Sequence, residues 1–149
     1  MESQLLYICE KPSQASDLAS VLGIKRKGKG YITNDSGTVI TWAVGHLLEL
    51  FKPDEYSPDL KVWSLDTLPI IPTTWKFKVK PKTHDQFDIV SRLIKTTKCV
   101  VVATDFDREG EAIARSLLDY CNYKGPVKRL CLRALDPASI KKALADVKE

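Results

Sequence analysis

The feature that most constrains this chain is a run of β-branched apolar residues that stops abruptly in acid. Val100-Val101-Val102-Ala103-Thr104 passes directly into Asp105-Phe106-Asp107-Arg108-Glu109-Gly110-Glu111, and then into Ile113, Leu117 and Cys121 at helical spacing. A short apolar run without polar alternation suits a strand buried on both faces, and the period that follows it is that of a helix. The amino terminus repeats the pattern. Leu5 to Cys9 (LLYIC) is an apolar run that ends in Glu10-Lys11, after which Ser13 is expected to cap a helix reaching Leu22, with Gly23 closing it. Strands buried on both faces and separated by helices favour a mainly parallel sheet, because parallel neighbours need a crossover between them. Ligands in such sheets bind beyond the carboxyl ends of the strands. If these two strands are neighbours, Glu10 and the Asp105 cluster meet on one edge.

Elsewhere the pattern is a strand and helix alternation with an irregular middle. Gly30 to Val44 predicts a hairpin, GYITN and TVITWAV, joined through Asp35-Ser36-Gly37. The segment from about residue 51 to 82 carries Pro53, Pro58, Pro69, Pro72 and Pro81 together with Trp63 and Trp75, which predicts an ordered but irregular excursion, too aromatic for a linker. Thr83 is expected to cap a helix bearing Phe87, Val90, Leu93 and Ile94 on one face, ahead of the Cys99–Thr104 strand. Val127 to Leu132 reads as a further strand, and Asp136-Pro137 as the cap and first turn of a last helix through Ile140, Leu144 and Val147.

A chain of 149 residues with 44% apolar composition can bury one core and is expected to be a single domain over residues 1–149. Its apolar runs are short and broken by charge, which points to a soluble cytoplasmic protein with no membrane partner. The formal net charge of +4 tolerates a polyanionic partner without requiring one. Cys9, Cys99, Cys121 and Cys131 show no paired spacing and no nearby histidine, so they read as buried thiols.

The acidic turn is the candidate site. Asp105, Asp107 and Glu109 alternate, so in an extended turn they can point the same way, and crowded carboxylates repel unless a cation lies among them. Carboxylate ligands favour Mg²⁺, with Mn²⁺ as a substitute. The plainer reading has Asp107, Glu109 and Glu111 complementing the positive end of the helix that starts there. It accounts poorly for Asp105, which precedes the helix, and not at all for Glu10. Gly23 to Gly30 nearly spells a nucleotide-binding P-loop, but Gly30 stands where a hydroxyl residue belongs and the segment leaves a helix to enter a strand, so no nucleotide is expected. The Asp-x-Asp loop also lacks the small β-branched residue of haloacid-dehalogenase phosphatases. In response-regulator receivers, the phospho-accepting Asp stands alone on its strand.

Glu10-Lys11-Pro12-Ser13, Gly45-His46-Leu47 after a strand, and Asp105-x-Asp107-Arg108-Glu109-Gly110 together resemble the Toprim domain of type IA DNA topoisomerases, the topoisomerase III branch in particular. TWAVGHLLEL and WSLDTLPIIPTTWKF add to that likeness, which covers essentially the whole chain. The resemblance implies a Rossmann-like Toprim sheet in which Asp105, Asp107 and Glu109 hold Mg²⁺. It also implies that Glu10 exchanges a proton with the 3′-hydroxyl and that Lys11 stabilises the phosphate in transfer. The partner would be single-stranded DNA, the location the nucleoid, and the activity that of an isomerase. The family's tyrosine nucleophile lies in another domain, and Tyr7, Tyr31, Tyr56, Tyr120 and Tyr123 match no such motif, so the domain alone is expected to be inactive and to need the remaining domains of its parent chain. His46, Arg108, Lys78 and Lys80 are candidate DNA contacts; for Trp75 to Lys80 the alternative is lysine protection of an edge strand. A stand-alone Toprim nuclease or primase-like protein, and a non-catalytic nucleic-acid-binding module, stand beside this reading.

Overall fold

The structure, a computed structural model, describes residues 3–148. In chain order its elements are β1 (Leu5–Cys9), α1 (Pro12–Leu22), β2 (Arg26–Gly28), β3 (Tyr31–Thr33), β4 (Thr38–Trp42), β5 (Leu48–Leu50), α2 (Pro53–Tyr56), β6 (Phe77–Val79), α3 (His84–Thr96), β7 (Val100–Ala103), α4 (Arg108–Tyr120), β8 (Val127–Arg129) and α5 (Pro137–Ala145), with single 3-10 turns at Pro58–Lys61, Leu65–Thr67 and Pro81–Thr83.

Six strands form one sheet in the order β2-β3-β4-β1-β7-β8, mixed in direction: β4, β1, β7 and β8 run parallel, and the β2-β3-β4 end is antiparallel. This is the expected α/β architecture. β1 and β7 are direct neighbours, with Cys9 paired to Ala103, so the two apolar runs that end in acid lie side by side. Side chains alternate across the sheet as the pleat requires. Leu6, Ile8, Val100 and Val102 pack with α3 and α4 residues such as Val90, Ile94, Ile113 and Leu117. Tyr7, Cys9, Val101 and Ala103 face the other way, toward Leu18 of α1 and Ile140 of α5. Two apolar cores thus sandwich the central strands and leave only their ends open.

Local chemistry sets several boundaries differently from the sequence reading. Lys11, not Ser13, occupies the N-cap of α1, because Pro12 stands at the first helical position, where its fixed φ suits the helix and its missing N–H costs nothing. Gly23 closes α1 as expected, at φ 70°. The basic stretch Gly23 to Gly30 contains β2, an edge strand whose charged Arg26 and Lys27 discourage further pairing. The hairpin turn is held by Asn34, whose Oδ1 accepts from the Thr38 N–H at 2.9 Å, with Gly37 at φ 83°. Thr83 precedes α3 but makes no side-chain cap. Asp107 and Asp136 do cap, accepting from the N–H of Gly110 at 2.7 Å and of Ser139 at 3.0 Å. Of the four cysteines only Cys9 is buried; Cys99, Cys121 and Cys131 are half-buried and free.

The excursion is ordered by short elements. β5, within a stretch not read as a strand, pairs antiparallel with β6 to make a separate two-stranded sheet, and α2 and the 3-10 turns fill the rest. Among the described residues no helix is long and apolar enough to cross a membrane.

Candidate functional site

The chain crosses from one side of β1 to the other after β4, so the carboxyl ends of β1 and β7 flank the point where strand order reverses, the usual crevice of an open α/β sheet. Four parallel strands deliver their ends to this edge. β4 leads into Val44-Gly45-His46, with Val44 at φ 48° and Gly45 at φ 75°. The Gly45 N–H donates to the Glu10 carbonyl at 3.3 Å, which ties that turn to the end of β1. β1 ends in Glu10 and β7 in Thr104-Asp105. β8 contributes Arg129.

Glu10 and Asp105 meet directly: the Asp105 N–H donates to Glu10 Oε2 at 3.4 Å. Gln14, one turn into α1 and 1% exposed, bridges them by accepting from the Glu10 N–H at 2.8 Å and donating through Nε2 to Asp105 Oδ1 at 3.0 Å. Lys11 Nζ lies 3.6 Å from the other oxygen, Asp105 Oδ2. His46 Nε2 is 3.8 Å from Glu109 Oε1. The pKa of Glu10 is raised above the usual carboxylate range, by burial first and then by the charge of Asp105, against the opposing effects of the Asp105 N–H and Lys11.

The acidic turn has little room to move. Thr104 is fully buried, and its hydroxyl donates to the Gly110 carbonyl at 2.8 Å. Any Cβ at Gly110 would collide with the Asp105 carbonyl, so glycine is required by close approach. Arg129 lies across the turn with its side chain 13% exposed. It donates to the carbonyls of Val102 at 3.1 Å, Thr104 at 3.0 Å and Asp105 at 2.7 Å, and pairs with Glu111 at 3.3 Å. The exposed Phe106 ring carries the guanidinium groups of Arg129 at 5.5 Å and Arg133 at 5.8 Å.

Asp105 and Asp107 line one hollow of about 530 Å³ with Phe106, Leu132 and Arg133. Asp107 spends Oδ1 on the α4 cap and Glu109 turns toward His46, so among the described residues no three His, Cys, Asp or Glu side chains converge as a metal cage. The donor set nonetheless suits a hard cation that keeps most of its waters and takes only one or two carboxylates. The plain reading of the acids holds in part, since Asp107 is a helix cap and Glu111 pairs with Arg115 at 2.7 Å.

The predicted residues Glu10, Lys11, Asp105, Asp107, Glu109 and His46 therefore lie together at the strand ends, with Arg108 exposed in the first turn of α4. Lys78 is engaged elsewhere. It is clamped by Glu55 at 2.6 Å and Glu49 at 3.5 Å, and Lys80 follows it out of β6. Gln14 and Arg129 were not foreseen. The signal for Gln14 is its place on the buried stripe Gln14, Ala15, Leu18, Ala19, where an amide replaces an apolar residue. Arg129 sits inside a strand and gave no such signal.

The fold and the acid-bearing strand ends define an α/β domain of the Toprim class, and the Toprim domain model matches residues 5–133: the chain belongs to that family. It is 41% identical over 145 residues to the DNA topoisomerase 3 of Staphylococcus epidermidis and 42% identical over 146 residues to that of Staphylococcus haemolyticus. These alignments cover 96% and 97% of this chain but 20% of each relative, so the chain spans about a fifth of their length. Among solved structures, full-length topoisomerase I from Thermotoga maritima shares the fold with a TM-score of 0.61 at 22% identity, covering 97% of this chain and 21% of that one.

Proposed function

We propose that this chain is the metal- and acid-bearing part of a type IA DNA topoisomerase of the topoisomerase III kind, acting on single-stranded DNA together with a tyrosine nucleophile carried by other domains of its parent protein. The observation that carries the proposal is the pairing of Glu10 with Asp105 from adjacent parallel strands, at the crevice where such sheets bind ligands.

In this reading Asp105 and Asp107 would hold Mg²⁺, or Mn²⁺ in its place, with Glu109 as the third candidate ligand. The cation supplies neutralisation of the phosphate charge at the point of cleavage and rejoining. Glu10, with its raised pKa, is suited to hold the proton that passes to the 3′-oxygen on cleavage and to take it back on rejoining. Lys11, 59% exposed beside Asp105, offers a mobile cation to the same phosphate. His46 and Arg108 stand on the rim where the strand would pass, and Lys80 is a weaker contact at a distance. Lys78 is removed from that role by its two glutamates.

The isolated chain should neither relax nor nick negatively supercoiled plasmid with Mg²⁺ present, because it lacks the nucleophile. Adding the remainder of the parent protein as a separate chain should restore relaxation, and Glu10→Gln should abolish the restored activity. Metal-dependent nicking by the pure chain, lost in Glu10→Gln, would instead establish a nuclease.

A further inference from the structure

We infer that Gln14 is a positioning residue for the acid site: its buried amide holds the Asp105 carboxylate in one orientation and locks the end of β1 to the end of β7. The inference rests on the metal reading proposed above and deepens it.

Gln14 is polar and essentially inaccessible, on a helix face otherwise made of Ala15, Leu18 and Ala19. Burying an amide is costly unless it is hydrogen-bonded, so the bonds Gln14 makes are what offset its burial. Both ends are used. Its Oε1 accepts a hydrogen bond from the Glu10 N–H at 2.8 Å, and its Nε2 donates one to Asp105 Oδ1 at 3.0 Å. The partners fix the amide's sense, since a backbone N–H demands the oxygen and a carboxylate demands the nitrogen.

One amide therefore joins Glu10 and Asp105, 95 positions apart in the chain, and sets which Asp105 oxygen is spoken for. Oδ1 is held, and Oδ2 is left facing Lys11 at 3.6 Å on the open side. Charge explains why the residue is glutamine. A glutamate of the same length would repel Asp105, and a lysine or arginine would neutralise it and compete with a divalent cation. A neutral donor orients the carboxylate and leaves its charge for the ligand. Partners of this kind, behind a metal ligand, govern affinity although they never touch the ion.

The test is Mn²⁺ titration of this chain, following the free aqueous ion by its paramagnetic resonance signal. Gln14→Met keeps the volume and loses both bonds, and it should weaken Mn²⁺ binding by about ten-fold. Leu18→Val, a purely apolar loss on the same helix face, should lower the melting temperature comparably yet leave binding within about two-fold, since lost packing alone does not touch the ligands. Equal binding by Gln14→Met and wild type overturns the inference, as does equal weakening in Leu18→Val. Should Gln14→Met not fold, the wild type decides: the Gln14 side-chain amide resonances should shift with Mg²⁺ at the same midpoint as the Asp105 backbone amide, and their failure to move contradicts the role. A wild type that binds no Mn²⁺ sinks the metal reading and this inference with it.

Discussion

The strand-end site and the 51–82 excursion both depart from regular secondary structure, and both carry charged side chains, yet they are built in opposite ways. At the strand ends the polar groups are tied down from behind. Gln14 and Thr104 are buried, Arg129 is nearly so, and together they bond the backbone and carboxylate of the acidic turn. In the excursion the polar side chains bond to exposed neighbours close by, not to buried groups behind them. Lys78 is held by Glu49 and Glu55, the Lys76 N–H donates to the Tyr56 hydroxyl at 2.8 Å, and Phe51 leans on Tyr56 at 5.7 Å. Val62, Trp63, Leu65 and Ile71 are exposed there, Leu65 at 91%. Charge alone does not distinguish the two regions. What does is whether a packed core over-determines the geometry of the polar groups, because only a held carboxylate can be pre-organised for a ligand.

That contrast can be broken most directly at Arg129. Arg129→Met removes the donors to the Val102, Thr104 and Asp105 carbonyls and takes from Glu111 one of its two arginine partners, and it should cost about 3 kcal/mol of stability. Denaturant unfolding checks this, and a loss as small as that of a surface change would mean that the turn is held by something else. A smaller effect sharpens the electrostatic side of the contrast. Because the folded chain holds the Glu10 proton more tightly than the unfolded chain does, ionising Glu10 costs stability. That cost is absent below the unfolded pKa, grows as pH rises toward the folded value, and is full above it. Glu10→Gln should therefore raise the melting temperature in metal-free buffer at about pH 7 and lose that advantage by about pH 3. An advantage that is the same at both ends would remove the raised pKa from the account. The smallest effect belongs to the other region: Trp63→Ser with Ile71→Ser should change unfolding free energy by no more than about 0.5 kcal/mol each, as exposed positions do. A large loss there would show the excursion to be as tightly determined as the strand ends.

The same contrast explains what could be read from the sequence. β1 and β7 were legible because short, β-branched apolar runs suit a buried strand, and their abrupt acidic ends marked the sheet edge where Glu10 and Asp105 meet. α4 was legible through the helical spacing of Ile113, Leu117 and Cys121, and α5 through Asp136, whose cap follows from residue type and place. β2 was missed because Arg26 and Lys27 belong to an edge strand, where charge protects and periodicity is lost. β5 was missed because three residues carry no period and its stability comes from pairing with β6, which is far away in sequence. Gln14 and Arg129 were missed for a related reason. Each acts across the fold, on Asp105 and on the ends of β7, and no local rule connects position 14 or 129 with position 105. The alternation of Asp105, Asp107 and Glu109 did not reveal that the helix starting at Arg108 takes one oxygen of Asp107 as its cap.

The central claim is that the paired acids at the strand ends bind a divalent cation, and thermal unfolding of this chain with and without Mg²⁺ or Mn²⁺ tests it most directly. Metal at about a hundred-fold excess over its Kd should raise the melting temperature by roughly 5–10 °C, as a ligand that binds only the folded chain does. Asp105→Asn with Asp107→Asn should abolish that rise. The same metal-induced rise in the double variant, or none in the wild type, would contradict the account.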